Sequence, residues 1–267
     1  MLKIGIAGFG VIGRTLAQHI DRGEVPDAEL VAVTSRDLAK AREAVKELRR
    51  PPAVVALPEL VRMADLVIES ATREALWEIA RQTFEAGKDL MVLSVGALLG
   101  RQDLFGLAQK KGCKLYIPSG AIAGLDGVKA AMIGRVDRVT ITSRKPPRGL
   151  AGAPYLLEHR IDVERITEPT VLFEGPATEA CVGFPANVNV AAALSLAGIG
   201  PEKTRVRVMA DPTITRNTHD IEVEGEFGRL TVHIENVPSE NPKTGKLAIL
   251  SPLAVLKGIT SAVRIGA

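Results

Sequence analysis

The sequence has few of the residues that build metal sites and disulfide frameworks. It contains two cysteines, Cys113 and Cys181, and four histidines among 267 residues. Neither cysteine lies in a CxxC pair or at metal-ligand spacing from a histidine, which argues against a zinc site. Counting leaves a disulfide open, but two reduced thiols are the favoured interpretation. We therefore expect no bound metal.

A strong charge bias and long apolar runs are also lacking. The net charge is only +3 and the basic residues are scattered, which argues against nucleic acid and leaves room for an anionic small molecule. No apolar run is long enough to span a bilayer, and the strand-like "MLKIGIAGFG" begins the chain without a leader segment. These features predict a cytoplasmic protein that does not bind a membrane.

Residues 1–120 alternate between strand-like and helix-like segments. The apolar stretches "LKIGIAG", "AELVAVTS", "ADLVIESA", "DLMVLSVGA" and "KLYIPSG" are separated by segments of helical length. Strands that are apolar on both sides and alternate with helices indicate a parallel sheet covered on both faces. We predict an α/β, Rossmann-type doubly wound domain with active groups at the carboxyl ends of its strands.

Residues 121–245 follow a different pattern, in which apolar and polar residues alternate. "DRVTITSRKPP", "TRVRVMADP", "NTHDIEVEG" and "GRLTVHIENVP" read as strands with one covered face, with a turn from Gly225 to Gly228. This predicts an α+β domain with a mostly antiparallel sheet. We expect the apolar C-terminal helix within 246–267 to pack back on the first domain.

A glycine-rich loop follows the first predicted strand. Gly8, Gly10 and Gly13 form G-x-G-x-x-G and open a predicted helix, with Val11 and Ile12 between them. The first glycine permits a tight turn, the second lets a pyrophosphate approach the backbone, and the third lets helix and strand pack closely. The amides of the helix N-terminus then face the anion, so we predict a dinucleotide site.

The end of the second strand bears on the choice of cofactor. Ser35 follows Thr34 where NAD enzymes usually carry a ribose-binding acid, and Arg36 comes next. A hydroxyl and an arginine suit a 2′-phosphate, so we predict that NADP is accepted. The alternative is that Arg36 is solvated and that Asp37 only caps the following helix.

The four histidines are not equally good candidates for a proton-transfer group. His219 lies in "RNTHDIEVEG" after the cofactor domain, and imidazole titrates near neutral pH. His233, on the next strand, is a weaker candidate that could share a sheet face with His219. His19 lies within a helix, and His159 lies among charged residues and is expected to be exposed.

Several long stretches together are similar to one family. "GFGVIG", "IPSGAIAGLDG", "RKPP", "FPANVNVAAALSLAG", "NTHDIEVEGEFG" and "ENVPSENPKTGKLAILSPLAVLKG" resemble the L-aspartate dehydrogenase family over essentially the whole chain. The resemblance implies oxidation of L-aspartate to iminoaspartate with NAD or NADP, as an entry to NAD biosynthesis. Iminoaspartate hydrolyses to oxaloacetate and ammonia. The resemblance also implies a homodimer, formed through the second domain.

Site residues carry over from this resemblance at three positions. The catalytic histidine of the family corresponds to His219, and cofactor contacts correspond to Ala123 and Asn189. Some members have a glycine where this chain has Ala123, but an alanine is also tolerated there. Asn189 and Asn187 begin an apolar helix-like run, where an amide either caps the helix or binds the nicotinamide carboxamide.

The two carboxylates of such a substrate call for basic partners. The candidates are basic side chains and neutral hydrogen-bond donors in three polar stretches, with a solvated surface position as the alternative for each. They are Arg144, Lys145, Asn187, Ser239, Asn241 and Lys243.

Two other functions compete with this one. One is another small two-domain reductase, acting on a semialdehyde or a cyclic imine. The other is a sensor that binds the dinucleotide without catalysis.

Overall fold

The computed structural model describes residues 1–185, 188–237, 245–263 and 265. The strands are β1 Leu2–Ala7, β2 Ala28–Thr34, β3 Ala53–Val54, β4 Leu66–Glu69, β5 Asp89–Val92, β6 Leu115–Tyr116, β7 Val136–Lys145, β8 Thr170–Pro176, β9 Arg205–Ala210, β10 Asn217–Gly225 and β11 Gly228–Asn236. The α-helices are α1 Val11–Asp21, α2 Leu38–Val45, α3 Leu57–Met63, α4 Leu76–Glu85, α5 Gln102–Lys111, α6 Leu125–Ala131, α7 Pro154–Glu158, α8 Ala177–Gly183, α9 Asn189–Ala197 and α10 Leu247–Thr260. Short 3-10 helices occupy Val95–Leu98, Pro147–Leu150 and Val163–Arg165.

The chain divides into two compact units. The first contains Met1–Pro118 together with Ile249–Ile265, and the second contains Ser119–Ala248. Among the described residues, no helix is both long and apolar enough to cross a membrane.

The first unit is built on a six-stranded sheet with the order β3-β2-β1-β4-β5-β6, and every neighbouring pair is parallel. This order is that of a doubly wound dinucleotide-binding fold, so the predicted fold class is confirmed. Both faces of β1 are covered. Ile4 packs in a buried cluster on one face, while Gly5 on the other approaches Leu60 of α3 so closely that an added Cβ would lie 2.6 Å from Cδ2.

The C-terminal helix α10 completes the core of this unit. Ile249, Leu253 and Leu256 are buried in the same cluster as Ile4 and Leu16. The helix is apolar around most of its circumference, which is typical of a helix that is enclosed rather than solvated. The first unit therefore takes its core from both ends of the chain.

The second unit is built on a five-stranded sheet with the order β11-β10-β7-β9-β8. All neighbouring strands are antiparallel except β7 and β9, which are parallel, so the predicted mostly antiparallel sheet is confirmed. A two-residue connection joins β10 to β11, with Gly225 paired to Gly228 at the predicted turn.

The two faces of this sheet differ in character. The inner face is apolar and carries Val139, Ile141, Val206 and Ile221, all essentially inaccessible to water. The outer face carries charged and hydroxyl side chains of β7, β9, β10 and β11. Helices cover the inner face, as Gly198 after α9 shows: a Cβ there would lie 3.5 Å from Val128 of α6 and 3.6 Å from Val139.

Strand register also determines which face of the sheet each histidine occupies. His219 pairs with Ile234, whereas His233 pairs with Asp220. Because successive side chains of a strand point to opposite faces, His219 lies on the inner face and His233 on the outer face. The shared face that the sequence left open is therefore excluded.

Candidate active site

The glycine loop connects β1 to α1 and is shaped by three close approaches. Gly8 has a φ of +102°, and a Cβ there would lie 2.4 Å from the carbonyl oxygen of Ser70. At Gly13 a Cβ would lie 2.2 Å from the carbonyl oxygen of Gly8. At Gly10, by contrast, an added Cβ would meet nothing within 4 Å. The space above Gly10 is therefore open to a ligand, while the other two glycines are required by packing.

A cavity of about 350 Å³ lies beside this loop, within the first unit. Gly10 is the residue before α1, and no side chain caps the helix N-terminus there. Among the lining residues Thr34, Ser35 and Arg36 come from the end of β2, and none of the side chains in the lining is acidic. An uncapped helix start, an open glycine and cationic lining fit a dinucleotide with its phosphates on the backbone amides.

Val11 and Ile12 begin α1 and have different surroundings. Val11 is exposed, while Ile12 is partly buried against the core of the unit. Asp37 caps α2, accepting a hydrogen bond of 3.0 Å from the backbone N–H of Lys40. The capping role that we considered for Asp37 is thus present, and Arg36 beside it remains exposed at the cavity.

A buried carboxylate at the end of β4 supports the cavity and was missed by the sequence analysis. Glu69 is fully buried and accepts hydrogen bonds from the N–H of Ala71 at 2.8 Å, the N–H of Ser94 at 3.0 Å and the Ser94 hydroxyl at 2.9 Å. Burial raises the pKa of Glu69, and the donors from Ser94 and Ala71 act in the opposite direction. Glu69 therefore ties the loop after β4, which lines the cavity, to the loop after β5.

The second unit contains a buried polar cluster on the inner face of its sheet. His219 of β10 is 3% exposed, and its Nδ1 lies 2.9 Å from Oγ of Ser143 on β7. Burial, with a smaller contribution from the charge of Lys145, lowers the pKa of His219 to about 3. The ring is therefore a neutral imidazole at physiological pH.

Lys145 is the cationic member of this cluster. It ends β7, two residues after Ser143 and on the same face, and it is 4% exposed. Burial lowers the pKa of Lys145 to about 8, which still leaves it mostly protonated near neutral pH. Arg144 lies between them and points to the outer face, where its Nε is 3.7 Å from Oδ2 of Asp220. The structure thus brings Lys145 to His219 and does not bring Arg144 there.

Ala123 and Asn189 both lie in the second unit, at the starts of two helices. Ala123 is exposed in the turn before α6, and Gly124, with a φ of +79°, follows it. The carbonyl of Ala121 accepts a hydrogen bond of 2.9 Å from Nδ2 of Asn236 at the end of β11. Asn189 is exposed in the first turn of α9.

Four of the predicted substrate residues lie outside the described residues. They are Asn187, Ser239, Asn241 and Lys243.

The remaining histidines are occupied elsewhere. His233 is exposed, and its Nδ1 lies 2.5 Å from Oδ1 of Asp220. His19 lies 2.7 Å from Glu24, and His159 is exposed and stacks on Tyr155. Both cysteines are free thiols, and no group of three potential metal ligands occurs in the described part of the chain.

Ser143, like Glu69, was not singled out by the sequence analysis. Only the pairing of the strands identifies Ser143, because it lies opposite His219 in the register of β7 and β10. Sequence alternation places both residues on covered faces but does not say that they meet.

An open glycine loop in a 3-2-1-4-5-6 sheet, followed by a mixed-sheet unit with a buried histidine, fits the class of NAD(P)-dependent dehydrogenases. Comparison with known families agrees with this class. The profile "Homoserine dehydrogenase, NAD binding domain" matches residues 8–118, and "Aspartate dehydrogenase, C-terminal" matches residues 126–259.

Individual relatives specify the family. L-aspartate dehydrogenase of Methanosarcina acetivorans is 52% identical over the full length of both chains, and that of Methanocella arvoryzae is 48% identical over the full length of both. The crystal structure of aspartate dehydrogenase from Thermotoga maritima superposes with a TM-score of 0.75 at 25% identity, covering 99% of each chain. The chain belongs to the L-aspartate dehydrogenase family.

Proposed function

We propose that this protein oxidises L-aspartate to iminoaspartate with NAD or NADP, and that iminoaspartate then hydrolyses to oxaloacetate and ammonia. The observation that carries the proposal is the 52% identity to an L-aspartate dehydrogenase over the whole of both chains. The local chemistry supports it, because the described residues supply an open dinucleotide loop and a buried proton acceptor with a neighbouring cation.

His219 is the proton-transfer group in this proposal. Loss of a hydride from Cα requires a nitrogen lone pair, so the substrate ammonium must first give up a proton. The neutral imidazole of His219 accepts that proton at Nε2, since Nδ1 is engaged with Ser143. In the reverse, aminating direction the same nitrogen returns the proton to the substrate nitrogen. A further role that we considered, in the forward direction, is to position the water that hydrolyses the imine.

The substrate itself strengthens this base. Without a ligand, burial and the positive charge of Lys145 disfavour the protonated ring of His219. Two substrate carboxylates beside Lys145 offset that charge, and a nearby negative charge favours the imidazolium form. We assign Lys145 to a substrate carboxylate, because it is a buried cation on the same sheet face as His219 and two residues from Ser143.

The cofactor residues are assigned on two grounds, the glycine loop with its cavity and the family resemblance. A bound nicotinamide cofactor would supply the hydride acceptor for the Cα–H of the substrate. We assign the pyrophosphate to the backbone of Gly8, Gly10, Val11, Ile12 and Gly13, and the ribose to Ser35 and Arg36. Ala123 and Asn189 are assigned to the cofactor by the family resemblance.

The cofactor assignment has a direct test at Arg36. The cavity lining includes this arginine and no carboxylate, which favours acceptance of a 2′-phosphate. Arg36→Ala should lower kcat/KM for NADP by about tenfold, the value of one charge-assisted hydrogen bond, and leave kcat/KM for NAD nearly unchanged. Equal loss with both cofactors would contradict the assignment, and Arg22→Ala is a control on an exposed arginine outside the cavity lining.

The substrate has its own test, which separates the rival functions. Cofactor reduction is measured with L-aspartate and with L-homoserine, using NAD and NADP in parallel. We expect turnover with aspartate and little with homoserine. Turnover with homoserine alone would favour another two-domain reductase, and cofactor binding without turnover of any substrate would favour a sensor.

The assembly and cellular location are also proposals. Family resemblance supports a homodimer formed through the second unit, and the two free thiols suit the reducing cytoplasm. We propose an enzyme of pyridine nucleotide biosynthesis in that compartment. The polar residues Asn187, Ser239, Asn241 and Lys243 remain predicted substrate contacts. Sedimentation equilibrium tests the dimer, and a monomer at micromolar concentration would contradict it.

A further inference from the structure

Strand register places one hydroxyl against the proton-transfer histidine. In the antiparallel pair of β7 and β10, Ser143 is the residue directly opposite His219. Both side chains are on the inner face, with 1% and 3% of their surface exposed. Oγ of Ser143 lies 2.9 Å from Nδ1 of His219, which is a full hydrogen bond.

The direction of that hydrogen bond decides what the other ring nitrogen can do. A neutral imidazole carries one N–H and one acceptor nitrogen. If Nδ1 donates to Oγ, Nε2 has a free lone pair and is able to accept a proton. If the hydroxyl donated to Nδ1 instead, Nε2 would carry the hydrogen and the ring would be no base toward the substrate.

We propose that Ser143 is the positioning residue of the proton-transfer site, with its Oγ accepting from Nδ1–H and thereby keeping Nε2 as the proton acceptor. The inference rests on the proposed role of His219. In the step it supports, an N–H bond of the substrate ammonium breaks, an Nε2–H bond forms, and the positive charge passes to the imidazolium. Oγ accepts from Nδ1–H before and after this transfer, so the hydroxyl does not have to turn.

A hydroxyl suits this position better than a carboxylate. His233 shows the effect of a carboxylate, because its hydrogen bond to Asp220 raises its pKa. The charged groups acting on His219 are Lys145, which lowers its pKa, and Asp220 on the opposite face, which raises it slightly. A neutral acceptor orients the ring without adding a charge, so the imidazole stays unprotonated until substrate is bound.

The first test is the tautomer of His219 in the full-length wild-type protein. Nitrogen-15 NMR of labelled imidazole rings, assigned with His219→Gln, distinguishes a hydrogen on Nδ1 from one on Nε2. We expect the Nδ1–H form near neutral pH. An Nε2–H form in the wild type would overturn the proposal, and this measurement does not depend on the folding of any Ser143 variant.

The second test changes the acceptor. Ser143→Ala should lower kcat by about 10- to 100-fold, populate the Nε2–H tautomer and leave the KM for NAD unchanged. Ser143→Thr retains an Oγ and should restore the Nδ1–H form and most of the turnover. Thr142→Ala is the matched control, since it removes a hydroxyl one residue away on the outer face.

The outcomes separate this inference from the proposed function. If Ser143→Ala keeps the wild-type tautomer, Ser143 does not position the ring, whatever happens to turnover. If His219→Ala retains full turnover, His219 is not the proton-transfer group, and the proposed mechanism is contradicted together with the role of Ser143. If His219→Ala loses turnover while Ser143→Ala keeps the turnover and tautomer of the wild type, only the positioning role of Ser143 is contradicted.

Discussion

His219 and His233 lie on neighbouring strands of one sheet and on opposite faces of it. The inner histidine is enclosed, bonded to a neutral hydroxyl and near a cation, and its pKa is lowered to about 3. The outer histidine is 58% exposed at its side chain, bonded to a carboxylate, and has a raised pKa. Because both residues are histidines, their opposite pKa shifts come from the different surroundings on the two faces of the sheet.

This contrast shows what makes a histidine useful as a base. The outer ring bonds to a carboxylate at the surface, where solvent screens most of the interaction. The inner ring is held neutral and oriented, and it is able to respond to a charged ligand because burial leaves its charge poorly screened. The same distinction separates Lys145 from Arg144, which are adjacent in sequence.

The largest expected effect comes from removing each histidine in turn. His219→Ala should lower kcat by about 10²–10⁴-fold, the usual contribution of a general base, while cofactor binding is retained. His233→Ala should leave kcat within about twofold, because an exposed ion pair contributes little. Steady-state kinetics and fluorescence titration of the reduced cofactor measure both effects. Similar losses of kcat in the two variants would show that the inner and outer histidines do not differ in function.

The next largest effect is expected from Lys145, with its sequence neighbour Arg144 as the comparison. Lys145→Met should raise the KM for L-aspartate by about 10- to 100-fold, since a buried charge-assisted hydrogen bond to a carboxylate is lost. Arg144→Met, one residue away and on the outer face, should change this KM little. An unchanged KM in Lys145→Met would show that the buried ammonium does not bind the substrate.

Acid stability should reveal the buried histidine. Since the pKa of His219 is about 3 in the folded protein and about 6.5 when unfolded, the unfolded chain binds the proton first. The associated stability is fully present above pH 6.5 and is lost as the pH falls, by roughly 1.4 kcal/mol per pH unit. Urea unfolding of the wild type and His219→Gln should therefore diverge on acidification. Parallel curves would mean that His219 is solvated.

The outer histidine should give the smallest effect, with the opposite sign. Its pKa is raised in the folded state by the hydrogen bond to Asp220, so its contribution is fully present below about pH 6.5. That contribution is lost as the pH rises through the folded pKa. The Tm difference between wild type and His233→Gln should therefore shrink toward alkaline pH. A difference that grows instead would mean that the ion pair is not formed.

The parts of the fold that depend on local sequence were predicted well. The glycine loop needs only its own spacing and the flanking strand and helix, and the parallel, doubly wound character of the first sheet follows from alternating elements. The site in the second unit depends on pairing between distant strands. Ser143 and His219 are 76 residues apart, and alternation alone does not fix which residues face each other.

The face occupied by His233 could have been derived from the sequence. The predicted turn at Gly225 and Gly228 already fixes the hairpin register, and counting back from it pairs position 219 with 234. His233 is then one residue out of step and on the other face. Glu69 had no such signal, because its donors come from the loops after β4 and β5, whose meeting depends on the order of the strands.

The return of α10 to the first unit has a consequence for how the chain is made. Ile249, Leu253 and Leu256 complete a core whose other members include Ile4 and Leu16. During synthesis the nucleotide-binding unit therefore waits, with apolar surface uncovered, until the ribosome has released the whole intervening sequence. Losing the last segment of the polypeptide would thus damage the part of the enzyme that was translated first.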